Sequence, residues 1–292
     1  MYAAQRKVLT MLHNHKISVD EAEELLDAMA LRKDEPPASS IPKVELVGVS
    51  AWAEQFRQTI DKIAATRSPV LVQGEPGTGK VLIARAIHYS SRYAAGPFVT
   101  FNCAGVPGAL LESELFGHEQ GAFTGAITQR IGKLEQANGG TLVLEETNEM
   151  PENLQVKLHC FLRDGYFNRV HGTKPVYADV RVIAVTHGDL KELVNQGRFR
   201  SYLYYRLSVC MVQSAPLRER MEDLPVLVEH FVKTQAEKDG IKPPSVSEAA
   251  MKALYAYSWP ENVRELAHVI SKAVVLCDGD ELTPEHLPDL QG

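Results

Sequence analysis

"LVQGEPGTGKV", residues 71–81, decides the fold of this 292-residue chain. A short apolar run ends at Gln73, the segment Gly74, Glu75, Pro76, Gly77, Thr78, Gly79 and Lys80 follows, and "VLIARAIHYSS" beyond it reads as a helix. Strand, G-x-x-x-x-G-K and helix, in that order, make a phosphate cradle. The glycines let successive backbone N–H groups turn inward around phosphate oxygens, the helix N-terminus adds partial positive charge, and the lysine neutralises the terminal phosphates. The generic motif closes on Ser or Thr, whose hydroxyl holds Mg2+, but Val81 stands there and offers a metal nothing. Mg2+ is therefore expected to be held by other groups or through water.

Outward from this loop, β-branched runs alternate with helical ones from Lys43 onward, the pattern of an α/β sheet with helices on both faces. The expected strands are "PVLVQ" (69–73), "FVTFN" (98–102), "TLVLE" (141–145) and "VRVIAVT" (180–186). "GGTLVLEETNEMP", residues 139–151, puts Glu145 and Glu146 at the end of an apolar strand. Parallel strands present their C-terminal ends at one edge, so these carboxylates are expected to face phosphates bound after Gln73. There the first acid orients hydrated Mg2+ and the second polarises attacking water. After "PLRER", residues 216–220, strands are expected to stop, and three or four helices to form a small separate bundle.

The bulk numbers narrow the function class. A composition 45% hydrophobic and 23% charged suffices for a large buried core, and a net charge of −6 argues against a surface built mainly to hold nucleic acid. Cys103, Cys160, Cys210 and Cys277 lie far apart without metal-ligand spacing, as suits a reducing cytoplasm. No run is apolar for long enough to serve as a signal peptide or membrane span, so a cytoplasmic protein is expected. Residues 4–32 read as two short amphipathic helices, the second opened by a capping box of Ser18 and Glu21. That second helix is acidic, which favours packing or self-association over groove reading. Residues 32–42 have the proline, serine and charge content of a linker.

"GAFTGA" sets Phe123 and Thr124 among Gly121, Ala122, Gly125 and Ala126 without a single charge. Composition alone reads it as a flexible loop around one buried phenylalanine. Together with the phosphate loop, the paired acids and the longer stretch "ESELFGHEQGAFTGA", however, the chain resembles the AAA+ central domains of bacterial enhancer-binding proteins. These are the ATPases that activate RNA polymerase carrying sigma-54. The resemblance runs from "LVGVS" at residue 46 to "LTPEHLP" at residue 288.

The resemblance implies an AAA+ P-loop NTPase: a parallel-sheet αβα core over 43–220, a C-terminal all-α lid over 221–292, and the helical hairpin with its linker over 1–42. It implies ATP and Mg2+ as cofactors and sigma-54 and RNA polymerase as partners. It also implies a homo-oligomeric ring, usually a hexamer, in which hydrolysis moves an exposed, flexible GAFTGA loop to remodel the closed promoter complex. By position, Asn102 resembles the residue that holds the catalytic Glu146 inactive, and His187 the first sensor near the terminal phosphate. Arg200 and Arg206 resemble fingers reaching a neighbouring subunit's nucleotide, and Arg264 the second sensor on the lid. Val47 and Gly48 fall where the base pocket is expected.

Departures cluster near the chemistry. Glu145 stands where Asp is usual, Val81 where Glu is usual, Gly188 where Arg is frequent, Ser201 and Tyr202 where an acidic pair is usual, and Cys160 where Arg is common. They motivate an alternative: a hydrolysis-impaired nucleotide-binding subunit that joins or modulates rings of an active relative as a hetero-oligomer. The family commonly carries a C-terminal helix-turn-helix, whereas this sequence stops at Gly292 just beyond the lid: either the chain is truncated or this member works without its own DNA contact, and direct DNA binding by the residues given is not expected.

Overall fold

Five parallel strands carry the molecule: β1 (Val70–Gln73), β2 (Phe98–Asn102), β3 (Thr141–Glu145), β6 (Arg181–Thr186) and β7 (Cys210–Gln213), ordered β2-β3-β6-β1-β7. The computed structural model describes residues 44, 46–104 and 108–287, and the hairpin and linker expected over 1–42 lie outside them. The four strands expected from the sequence are present within a residue of their expected ends. β7 was not expected. It is an edge strand whose Cys210 and Met211 are partly exposed, and "CMVQ" carries a single β-branched residue where each inner strand carries at least two.

The inner strands read as continuous apolar runs because both sheet faces are covered. Val70, Val72, Val143, Ile183 and Val185 pack on one face against α1 (Ala51–Ala64) and α2 (Lys80–Tyr89) through Ile60, Ile83 and Ile87. On the other face, Leu71, Leu142, Leu144 and Ala184 meet residues of α3 (Gly108–Phe116), α4 (Lys133–Gln136), α5 (Glu152–Asp164), α6 (Leu190–Asn195) and α7 (Ser201–Leu207). A short antiparallel hairpin, β4 (Tyr166–Asn168) with β5 (Pro175–Tyr177), follows α5.

Beyond Arg220, α8 (Leu224–Asp239), α9 (Glu248–Ala256) and α10 (Asn262–Leu276) pack around Trp259. Its ring is fully buried and its indole N–H donates to Leu254 O at 3.0 Å. The expectation that strands stop after residue 220 needs correction. β8 (Ser245–Val246) and β9 (Glu281–Leu282) form a two-residue parallel ladder that ties the start of α9 to the segment after α10. So short a ladder leaves no periodic trace in sequence. Among the described residues, no helix is long and apolar enough to cross a membrane.

Candidate functional site: a phosphate loop clamped by the helical bundle

The strand order decides which side chains meet. β6 lies between β1, which ends at the phosphate loop, and β3, which ends at the two glutamates. All three finish at the same edge of the sheet. Gly74 follows β1, with its N–H donating to Thr186 O at 3.2 Å, and α2 begins at Lys80 behind Gly79. The Lys80 ammonium is buried and donates to the carbonyls of Gly74 (2.8 Å) and Glu75 (2.7 Å). Burial lowers its pKa, while the negative charges of Glu146 and Glu75 support the charged form and Arg264 opposes it. Glu75, Glu146 and Arg264 thus bear electrostatically on the ammonium that would meet a terminal phosphate.

The bundle closes directly on the loop. Arg264 donates its backbone N–H to Gly77 O at 3.2 Å. Gly77 has φ +75°, and a Cβ there would collide with the carbonyl of Glu261, so only glycine permits this approach. Asn262, fully buried, accepts from Leu217 N (2.8 Å) and donates to Pro76 O (3.0 Å) and Glu75 Oε2 (3.2 Å). Arg218 takes the Glu75 carboxylate with two hydrogen bonds, at 2.7 and 2.5 Å. These bonds hold the Glu75 carboxyl at a pKa of about 2. Neither Asn262 nor Arg218 stands out in sequence. The Asn φ of +56°, in a region Asn adopts more readily than most residues, becomes meaningful only once the turn is seen.

Val47 lines an apolar cavity beside Thr78 and Gly79, with Trp52, Phe56, Leu227 and Phe231. Gly48 lies at its edge rather than in the lining, packed so closely on Asp223 that a Cβ would sit 3.0 Å from the carboxylate. Buried Asp223 accepts from Val49 N (2.6 Å) and Ser50 N (2.7 Å), which fastens this segment to the start of the bundle.

At the acidic strand end, Glu146 adopts a left-handed backbone (φ +51°) and its carboxylate meets His187 Nδ1 at 2.5 Å. Asn102 does not hold Glu146 here. Its side-chain oxygen accepts from Ala104 N at 2.8 Å, a local turn that takes up the group expected on the glutamate. Glu145 is level with Asn102 across the β2–β3 ladder, and its carboxyl pKa is raised by burial and by Glu146, against the pull of Arg85. Cys103, beneath both acids, is pushed up to about 12 by burial and their charge. Among the described residues, no three His, Cys, Asp or Glu side chains gather to hold a metal. One strand-end carboxylate facing a phosphate cradle nevertheless fits Mg2+, which takes one or two carboxylates plus phosphate oxygens and water.

Arg200 and Arg206 stay out of this constellation. Both are exposed on α7 or just before it, Arg200 paired with Glu152 and Arg206 donating to Leu162 O at 2.9 Å. The Arg264 side chain is also largely exposed, 3.5 Å from Glu261.

Residues 121–126 are held by bonds of their own backbone. Gly121 N donates to Ala126 O and Ala126 N to Phe123 O, each at 2.9 Å, and Ala122 and Ala126 are buried. The base is closed by reciprocal bonds of 3.0 Å between the backbones of His118 and Arg130. Phe123 is 42% exposed and stands edge-on to His118, with ring centroids 5.0 Å apart. The projection is braced, with Phe123, Thr124 and Gly125 outermost.

Residues 46–213 match the family model described as "Sigma-54 interaction domain", and residues 218–291 match "AAA+ ATPase lid domain". The chain is 49% identical over 227 residues to the regulatory protein AtoC of Escherichia coli K12, covering 78% of this chain and 49% of AtoC. It is 42% identical over 285 residues to the nitrogen fixation protein VnfA of Azotobacter vinelandii, covering 98% of this chain and 53% of VnfA. It therefore spans about half the length of these relatives. The crystal structure of NtrX from Brucella abortus in complex with ATP superposes with a TM-score of 0.80 at 40% identity, over 94% of this chain and 61% of NtrX. With the phosphate loop, the acidic strand end and the clamping bundle in one unit, the chain belongs to the AAA+ ATPases of sigma-54-dependent transcriptional activators.

Proposed function

We propose that this chain binds ATP with Mg2+ and, assembled as a ring, uses hydrolysis to drive the GAFTGA projection against RNA polymerase carrying sigma-54. The observation that carries this reading is one continuous set of contacts from the phosphate site to the projection. Glu146 leads through a short turn into α5, where Asn153 (2.8 Å) and Lys157 bind Glu112 of α3. α3 runs straight into the segment that ends at Phe123. In this reading a shift at the strand end is passed to the projection through the exposed Asn153–Glu112 bond and the part-buried Lys157–Glu112 ion pair.

In this reading residues 74–81 cradle the phosphates, with Lys80 as their counter-charge, and the cavity at Val47 takes adenine. Glu145 would hold hydrated Mg2+, which screens phosphate charge when bound, while Glu146 polarises water. Arg200 and Arg206, directed outward, serve a neighbouring subunit's nucleotide. Arg264 reports nucleotide to the bundle, over 221–292, and Phe123 with its neighbours Gly121 to Ala126 grips sigma-54. The relative NtrX was crystallised with ATP and with ADP, which supports the nucleotide.

A second reading, a weakly hydrolysing subunit that modulates rings of an active relative, is favoured by Glu145, whose carboxylate stands one methylene further out than the Asp usual at that strand end. Phosphate release measured across protein concentrations, with and without sigma-54 and beside the oligomer mass, decides between them. Cooperative activity that rises with assembly supports the ring ATPase. Assembly without turnover, restored by adding an active relative, supports the second reading.

A further inference from the structure

Arg220 shares the cavity beside the phosphate loop with Trp52, Thr78, Gly79 and Leu82, yet it is only 7% exposed. A guanidinium carries several N–H donors in one rigid plane, and a buried one is ordinarily saturated by a carboxylate or by carbonyls. Among the described residues Arg220 has little of either. Nη2 reaches Thr78 O at 3.4 Å, and Asp223 Oδ2 stands 3.7 Å from Nη1. The Asp223 carboxylate is already taken by the N–H groups of Val49 (2.6 Å) and Ser50 (2.7 Å) and by the Ser50 hydroxyl (3.0 Å). Arg220 Nε is buried without any acceptor. Burial works against its charged form, and Asp223 offsets only part of that effect. Arg181 offers a contrast. It is equally buried, but its terminal nitrogens donate to the carbonyls of Ile63 (2.7 Å) and Ala64 (3.3 Å) at the end of α1, which accounts for it structurally.

What holds Arg220 in place is an aromatic stack. Its guanidinium carbon lies 4.6 Å from the centroid of the Trp52 ring, and Trp52 in turn stacks on Phe56 at 4.7 Å. Cation–π attraction to the indole fixes the guanidinium plane and leaves Nε–H unspent in the wall of the cavity. We propose that Arg220 is a base-recognition residue: with nucleotide bound, its Nε–H donates to a ring nitrogen of the base, and Trp52 behind it sets the direction of that donor. Lys80 and Arg220 then divide the ligand between them, the ammonium acting on phosphates and the guanidinium on the base. This inference rests on the reading that places a nucleotide in the phosphate loop, and it adds the side chain that tells a nucleotide from bare phosphate.

Calorimetry of the full chain with two probes, ATP and inorganic tripolyphosphate, separates the contributions. Arg220→Lys keeps a cation beside Asp223 but loses the planar fork and its Nε donor. It is expected to weaken ATP binding by on the order of tenfold and to leave tripolyphosphate binding unchanged. A second measurement needs no change at Arg220. Trp52 emission, isolated as the difference between the unmodified chain and Trp52→Phe, is expected to shift on adding ATP or adenosine and to ignore tripolyphosphate. Equal weakening of both probes in Arg220→Lys, an unchanged ATP affinity, or Trp52 emission that does not respond to adenosine overturns the proposal and leaves the phosphate loop as a triphosphate site. Failure of the unmodified chain to bind either probe refutes the nucleotide reading and this inference with it.

Discussion

Lys80 has its ammonium satisfied by two loop carbonyls, so the resting loop is held closed by the group that would later face phosphate. Lys80→Ala removes the counter-charge and frees both carbonyls. ATP affinity measured by calorimetry is expected to fall by at least about 100-fold, roughly 3 kcal/mol. Asn262 is the more structural residue. Asn262→Ala strands the buried Leu217 N–H and Pro76 carbonyl and leaves alanine at φ +56°, which Asn tolerates better. Urea denaturation is expected to register a loss of about 2–4 kcal/mol. At the strand end, Glu145→Asp shortens the acid by one methylene. If Glu145 misplaces the metal, turnover is expected to rise several-fold, since a displacement on the order of 1 Å can cost about a hundredfold in rate. Unchanged or lower turnover shows that the longer acid is accommodated.

Between elements, the contact of the bundle with the phosphate loop depends on a carboxylate. The bonds from Arg218 and Asn262 hold the Glu75 carboxyl at about 2, well below the usual carboxylate range, so its contribution is fully present above that range and lost as pH falls toward 2. The pair with Arg218 is largely exposed, so solvent screening keeps the effect small. Thermal unfolding of Glu75→Gln and the unmodified chain is expected to differ near neutral pH and to converge on acidification through that window. A gap that persists in acid would assign the effect to packing instead. The GAFTGA projection belongs to the same scale. Phe123 contacts His118 and solvent rather than the main core, so Phe123→Ala is expected to leave ATP turnover intact and abolish sigma-54 binding in a pull-down. Retained binding would remove Phe123 from the interface.

For the whole molecule, Arg200 and Arg206 are exposed and pair with Glu152 and Leu162 O rather than with the phosphate-loop residues, and in the proposed ring turnover would be a property of the assembly. Specific activity is expected to rise with protein concentration in step with oligomer mass. Arg206→Ala is expected to lower kcat by at least about 100-fold while each subunit still binds ATP, consistent with the scale of finger residues. A monomer with constant specific activity would refute the shared site.

The phosphate loop, the acidic strand end and four strands of the sheet were readable in sequence because each rests on a local rule: glycine spacing, charge at the end of an apolar run, or β-branched periodicity. No such rule marks β7, which holds a single β-branched residue, or the two-residue β8–β9 ladder. Nor could local rules find the clamp, because Glu75, Arg218 and Asn262 are far apart in the chain and meet only when the bundle docks. The same holds for the partner of Glu146. Resemblance pointed to Asn102, but Asn102 turns onto Ala104, and the strand order brings His187 to the carboxylate instead. Short-range chemistry thus specified what the loop and strand can bind, whereas long-range packing selected which side chains restrain them, since hydrogen-bond partners follow from folded proximity and not from separation along the chain.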